Sequence, residues 1–144
     1  MTAYTVDTVI EAPRQLVYDI FADRENNGNF LPVQTRLETP GTVERQGVGA
    51  VHFLGIGPVG VREQITELVP GQRISYKVVG GVPVKSHTGQ IEFSDAGTGT
   101  RVVYTMDSEP KLPVPEPVLR AGLKALITTF VNGAKKEATR KANS

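Results

Sequence analysis

The sequence predicts an α+β fold in which a seven-stranded, curved antiparallel sheet wraps around a long carboxy-terminal helix, with one or two short helices after the first strand. Three observations predict it. Most of the chain alternates apolar and polar residues with a period of two. Short connectors rich in Gly and Pro separate the alternating runs, which favours antiparallel hairpins. The end of the chain changes to a helical period. A length of 144 residues suits one domain, and we interpret residues 1–144 as such.

The amino-terminal region combines a strand with a short helix. The run YTVDTVIEA alternates as a strand does. Pro13 suits the first turn of a helix, because its missing N–H would be unpaired there. An apolar helical stripe follows: Leu16, Val17, Ile20 and Phe21. A polar break interrupts it at Asp23, Asn26, Asn27 and Gly28, and a short second helical turn is expected between Asp23 and Asn29.

Six further strands are predicted between Val33 and Asp107. They are the runs VQTRLET, GVGAVHFLG, PVGVREQITELV, QRISYKVV, VKSHTGQIEFS and TRVVYTMD. The last three have one apolar face, which predicts that one side of the sheet is covered. That face carries Ile74, Tyr76, Val78, His87, Gly89, Ile91, Phe93, Val102, Tyr104 and Met106.

The cover is predicted to be the last helix. It follows the proline-rich run SEPKLPVPEP and spans roughly six turns. Its apolar positions recur at steps of three and four residues: Leu119, Leu123, Leu126, Ile127, Phe130, Val131, Ala134 and Ala138. A curved sheet that grips one helix leaves a volume between them, where ligands bind in such folds.

Composition excludes several classes of function. The 16 basic and 15 acidic side chains give a net charge of +1, so no basic surface for nucleic acid is expected. No apolar run approaches the ~20 residues of a membrane span, and the amino terminus lacks the pattern of a signal peptide. We therefore expect a soluble, cytoplasmic monomer or weak homodimer without stable membrane insertion. The absence of Cys excludes disulfides and thiolate chemistry.

The order of motifs resembles the START-like (SRPBCC) superfamily. The resemblance rests on IEAPRQLVYDIFAD after the first strand, then FLP, ITELVPGQRISY, GTGTRVVYTM and the terminal helix, and it covers nearly the whole chain. Among its members are birch pollen allergens, abscisic acid receptors, and polyketide cyclase/dehydrase and lipid-transport proteins, the last being the most similar. The resemblance implies a helix-grip fold and a hydrophobic ligand cavity.

Two departures from that pattern argue against a cyclase. Many relatives carry a Trp near the polar break, whereas this chain has none and places Phe30 and Leu31 there. Aromatic cyclases of the superfamily use an Arg in the cavity. Arg62 shares its strand face with the polar residues Gln64 and Thr66, so we expect it to face solvent.

Glu63, His87 and Tyr104 are the candidate acid/base residues. Glu63 shares the apolar face of its strand, where burial would raise the pKa of its carboxyl. The alternative is a Glu at the sheet rim or paired with a basic neighbour. His52 and His87 are too few for most zinc sites, so no metal or cofactor is expected, and each is otherwise a packed or rim histidine. The run GIGPVG (residues 55–60) precedes a strand, which favours a hairpin turn over a dinucleotide site.

The predicted ligand-binding residues combine the covered sheet face with a mouth. Phe21, Phe30 and Leu31 would close the open side of the grip. Pro110, Pro113, Pro115 and Pro117, with Leu112 and Val114, would form the facing lip. The alternative is two loops that cap a filled core. The predicted set is Phe21, Phe30, Leu31, His52, Glu63, Tyr76, His87, Ile91, Tyr104, Met106, Leu123 and Ile127.

Three functions are compatible with these patterns. The first is binding or transport of a small hydrophobic ligand such as a lipid, isoprenoid or polyketide. The second is an enzyme, of the cyclase or dehydratase type, that acts on a hydrophobic substrate in the same cavity. The third is an adaptor that uses the outer face of the sheet.

Overall fold

A computed structural model describes residues 2–143, within which the chain forms seven strands, two α-helices and one 3₁₀ helix. The α-helices are α1 (Arg14–Ala22) and α2 (Glu116–Ala142), and the 3₁₀ helix spans Arg24–Asn29. The strands are β1 (Thr2–Ile10), β2 (Gln34–Thr39), β3 (Val51–Ile56), β4 (Val59–Val69), β5 (Arg73–Gly80), β6 (Val84–Ala96) and β7 (Gly99–Pro110). The predicted α+β class and the short helices after the first strand are confirmed.

All seven strands form one antiparallel sheet with the order β1-β7-β6-β5-β4-β3-β2. Strands β2 to β7 form a meander, while β1 pairs with β7, so β1 and β2 are the two edges. Residues 11–33, which connect the two edges, therefore cross the open side of the sheet. That crossing is why a helix, a polar break and an apolar segment occur so early in the sequence.

Two local predictions have different outcomes. The hairpin interpretation of GIGPVG is confirmed, because Ile56 pairs with Val59 and Gly57 adopts a φ of 60°, which favours glycine. The start of β3 was predicted too early. The backbone N–H of Ala50 donates to the carbonyl of Gly47, and these residues belong to a loop before Val51.

Helix α2 is longer than the predicted six turns, because it begins at Glu116 and ends at Ala142. Its buried apolar stripe contains Leu123, Ile127, Val131, Ala134 and Ala138. Leu126 was predicted to belong to this stripe, and that prediction is wrong. Its side chain is 42% exposed, because it lies on the flank of the helix rather than on the face towards β1 and α1.

Helix α1 packs on the same concave face of the sheet. Its buried residues are Val17, Tyr18, Ile20 and Phe21. The Phe21 ring lies 5.7 Å from that of Phe93 and 6.3 Å from that of Tyr104, measured between centroids. The opposite face is polar, as predicted, and carries exposed ion pairs such as Arg101–Asp7. Arg62 is on this polar side, paired with Glu38, as expected.

Candidate functional site

Arg24 is the most unusual residue of the concave face, because it is a charged side chain that is only 7% exposed. It is the first residue of the 3₁₀ helix, directly after the end of α1. The crossing of residues 11–33 over the sheet carries its guanidinium into the interior. Its Nη2 donates to Oε1 of Glu63 on β4, and this carboxylate side chain is also 7% exposed. The two form a buried ion pair.

This pair shows which alternative holds for Glu63. The side chain faces inward, as its strand parity predicted, and it is paired with a basic residue rather than free to shuttle a proton. Burial is the largest single influence and disfavours the charged form of Arg24, but Glu63, Tyr76 and Tyr104 together outweigh it and raise the pKa of Arg24. Arg24 therefore stays protonated in the apolar interior.

Two tyrosines complete the polar part of the interior. The hydroxyls of Tyr76 and Tyr104 lie 2.5 Å apart, in a hydrogen bond in which either can donate. The guanidinium carbon of Arg24 lies 4.7 Å from the centroid of the Tyr76 ring, in a cation–π geometry. Burial raises the pKa of both phenols well above the ordinary value near 10. Both tyrosines are thus neutral hydrogen-bonding groups at physiological pH.

His52 lies beside the ion pair and is completely buried. It is the direct register partner of Glu63 across β3 and β4. Burial, and then the charge of Arg24, lower the pKa of His52 to about 4, so the ring is neutral at pH 7. Neither ring nitrogen has a hydrogen-bond partner, and Nη1 of Arg24 also lacks one. We call Arg24, His52, Glu63, Tyr76 and Tyr104 the buried polar cluster.

His87 lies near this cluster, on β6 opposite Ser108. Its side chain is buried, as its strand parity predicted. Burial lowers its pKa, and the charge of Glu63 partly offsets that effect. The candidate acid/base residues Glu63, His87 and Tyr104 thus occupy one region of the interior.

Most of the predicted ligand-binding residues are in the packed interior. Phe30 is partly buried, and the other eleven are buried: Phe21, Leu31, His52, Glu63, Tyr76, His87, Ile91, Tyr104, Met106, Leu123 and Ile127. Sequence reasoning missed Arg24. A signal for it existed, because Val17, Ile20, Phe21 and Arg24 follow the spacing of one helical face.

Leu31 borders an open apolar groove of about 350 Å³. One wall is the segment of residues 31–33, and the other is the exposed flank of α2. The prolines of the expected facing lip do not line this groove, where the helix itself forms the opposite wall. Leu112 and Val114 of the proline-rich segment are exposed. The groove is lined by Leu31, Pro32, Val33, Gly122, Ala125, Leu126, Thr129 and Phe130.

Residues 30–31 contact α2 closely at Gly133. A Cβ atom added to Gly133 would lie 2.8 Å from Cδ2 of Leu31 and 3.2 Å from the carbonyl oxygen of Phe30. Glycine at this position thus lets residues 30–31 approach the helix. Gly122 differs, because a Cβ atom there would meet no other atom within 4 Å. The groove is therefore open beside Gly122 and closed at Gly133.

The described part of the chain, residues 2–143, contains no group of three or more His, Cys, Asp or Glu side chains that could hold a metal ion. No helix within this range is long and apolar enough to cross a membrane.

The comparison with known families assigns the chain. A family described as polyketide cyclase/dehydrase and lipid transport matches residues 1–139. The chain belongs to this family. No match was found among curated proteins.

Solved structures confirm the helix-grip fold that the sequence predicted. A START superfamily protein from Mycobacterium smegmatis matches with a TM-score of 0.84 at 13% identity, over 96% of this chain and 97% of that one. The major latex-like protein 151 from Panax ginseng matches with a TM-score of 0.78 at 17% identity, over 95% and 97%. Ara h 8.0201 matches with a TM-score of 0.77 at 12% identity, over 96% and 98%. At these identities the likeness concerns the fold.

Proposed function

We propose that this protein binds or transports a small hydrophobic molecule, such as a lipid, isoprenoid or polyketide, on the concave side of the sheet. The observation that carries the proposal is the apolar groove between residues 31–33 and α2, of about 350 Å³. Such a volume is in the range of small-molecule sites, which are mostly apolar with a few polar groups. We expect the buried polar cluster to supply those groups once a ligand extends from the groove into the interior.

The segment that borders the groove also reaches the polar cluster. Arg24 begins the 3₁₀ helix and residues 31–33 follow its end, so one short stretch of chain lies beside both features. A ligand that displaces Phe30 and Leu31 from α2 would enter the region of Leu123 and Ile127. We expect the remaining predicted residues to contact the ligand there.

Binding of a neutral fluorescent probe, N-phenyl-1-naphthylamine, tests this function. In Gly122→Leu the new side chain would project into the groove, while its Cβ atom meets no neighbour. We expect the probe to bind the wild type and Gly122→Leu to weaken it by about tenfold, which is 1.4 kcal/mol. Gly122→Ala is the matched control, because it raises helix propensity but adds one carbon only.

The proposal fails if the wild type binds neither the probe nor any hydrophobic competitor. If Gly122→Leu binds the probe as tightly as Gly122→Ala does, the ligand does not bind in this groove. Native mass spectrometry of freshly purified protein gives an independent measurement, since a retained ligand would add its own mass.

A polyketide cyclase or dehydratase activity is the second candidate. The observation that favours it is that Glu63, His87 and Tyr104 lie in one region of the interior. Binding is favoured over it because Glu63 is held by Arg24 and burial keeps Tyr104 protonated. If catalysis occurs, Tyr104→Phe will abolish turnover while probe affinity is retained. Equal losses of both would assign Tyr104 to binding.

The remaining expectations are part of the same proposal. We propose one domain that acts in the cytoplasm as a monomer or weak homodimer, without a cofactor, metal or nucleic acid. Sedimentation at several protein concentrations tests the oligomeric state. A tight dimer at the lowest concentration would contradict it.

A further inference from the structure

Three buried nitrogen atoms in the polar cluster have no hydrogen-bond partner: Nη1 of Arg24 and both ring nitrogens of His52. The Arg24 side chain is 7% exposed and His52 is fully buried. A buried polar group without a partner destabilises the folded state, because it has lost its hydrogen bonds to water. Proteins rarely retain several such groups in one place unless another molecule completes them.

These nitrogens belong to one location. Directly opposed residues on neighbouring antiparallel strands have Cβ atoms about 4.5–5.5 Å apart, and His52 opposes Glu63 in this way. Glu63 in turn accepts a hydrogen bond from Nη2 of Arg24. The charge of Arg24 is near enough to His52 to lower the pKa of its ring. One polar group of a ligand could therefore reach both residues.

The charges around this location decide which polar group fits. Glu63 already compensates Arg24, and His52 is neutral at pH 7. A ligand carboxylate would bring an additional, uncompensated negative charge into the interior, close to Glu63, at a large desolvation cost. A neutral oxygen can accept a hydrogen bond from Nη1 of Arg24 without adding charge. An alcohol can also donate its own hydrogen to the unprotonated nitrogen of His52.

We infer that the hydrophobic ligand of this site carries a neutral oxygen function, a hydroxyl or ketone rather than a carboxylate, and that Arg24 and His52 bind that oxygen. This inference rests on the proposed binding function and adds the chemical class of the ligand. Glu63 then determines selectivity through its charge. The hydroxyls of Tyr76 and Tyr104 already pair with each other and form the wall of this polar site.

Competition against N-phenyl-1-naphthylamine at pH 7.5 tests the inference with matched straight-chain ligands: 1-dodecanol, 2-dodecanone and dodecanoate. We expect the alcohol and the ketone to bind the wild type at least about tenfold more tightly than the carboxylate. In Glu63→Gln the charge of Arg24 is uncompensated, so we expect the order to reverse and the carboxylate to bind most tightly.

An uncompensated Arg24 costs stability, so a second variant keeps the test independent of folding. Replacing both charged residues, as Arg24→Met with Glu63→Leu, removes the pair without leaving an unpaired charge. We expect this double variant to retain the neutral probe but to bind 1-dodecanol about tenfold more weakly than the wild type does. Circular dichroism confirms that each variant is folded before binding is measured.

The outcomes separate the two proposals. If the wild type binds neither the probe nor any of the three ligands, the binding function itself is wrong. If the probe binds, but the carboxylate competes as well as the alcohol in the wild type, the inference alone is wrong. It is equally overturned if the double variant binds 1-dodecanol unchanged, since water would then suffice for the three nitrogens.

Discussion

At the residue scale, Gly89 and Tyr76 illustrate how closely the interior is packed. They are register partners on β6 and β5. A Cβ atom added to Gly89 would lie 2.2 Å from Cζ of Tyr76. The aromatic ring thus lies directly over the glycine, in the position that a side chain would occupy. This placement brings its hydroxyl to Tyr104 and its face to Arg24.

Gly89→Ala should therefore destabilise the protein by about 1–3 kcal/mol, the usual cost of overpacking a core. The measurement is urea denaturation followed by circular dichroism. In a Tyr76→Leu background, Gly89→Ala should destabilise the protein much less, because the clashing ring is gone. Additive losses in the double variant would mean that the ring is not the obstacle.

The buried imidazole of His52 predicts a pH dependence of stability. Its pKa in the folded protein is about 4, below the ordinary value near 6.5. Between these pH values the unfolded chain binds a proton that the folded protein does not bind. The free energy of unfolding should therefore fall as the pH is lowered from 6.5 towards 4.

His52→Leu cannot bind this proton, so the wild type should lose stability relative to His52→Leu across that interval. Thermal denaturation of both proteins at several pH values measures the difference, in which the effects of carboxylates and of His87 cancel. Parallel curves would contradict the lowered pKa.

Sequence patterns predicted the inward-facing residues of the strands but missed Arg24. Strand parity has a period of two, so Glu63, His87 and Tyr104 could be assigned to one face from the sequence alone. Arg24 lies within the polar break, where the helical face of Val17, Ile20 and Phe21 continues for this one residue only. Its burial depends on a partner 39 residues away, and no local pattern encodes that contact.

At the scale of elements, the two halves of α2 differ in how they pack. The carboxy-terminal half carries most of the buried residues, whereas Val118 and Leu126 nearer its start are exposed. Helical period predicted that α2 covers the sheet. It could not predict the flank position of Leu126, because Leu126 and Ile127 are adjacent and both suit an apolar stripe. The position of β1 and α1 decides between them.

Alanine substitution of Leu126 and of Ile127 tests which face of α2 packs against the rest of the protein. Ile127 is fully buried, so Ile127→Ala should cost about 2–5 kcal/mol. Leu126→Ala, the matched control one residue away, should cost less than about 1 kcal/mol, as surface substitutions do. Urea denaturation measures both. Equal losses would place Leu126 in the core after all.

At the scale of the whole molecule, the Arg24–Glu63 pair joins the crossing segment to the sheet. Removing one partner of a buried ion pair leaves an unpaired charge and costs about 3–5 kcal/mol. We expect Glu63→Leu to lose stability by that amount. Adding Arg24→Met to it should recover most of the loss, because no unpaired charge is then left in the interior. If the double variant is as unstable as Glu63→Leu, the unpaired charge of Arg24 is not the cause of the lost stability.

The strand order also leaves one part of the molecule outside the hydrogen-bond ladders of the sheet. The ladders of hydrogen bonds join β1 to β7 and run through the meander to β2, and residues 11–33 contribute to none of them. That stretch is attached to the sheet by side-chain packing and by a few polar contacts, such as the one from Thr35 to the carbonyl of Glu25. Under the proposed binding function, a guest molecule would therefore be admitted or released while every strand keeps its neighbour, and exchange would not require unfolding.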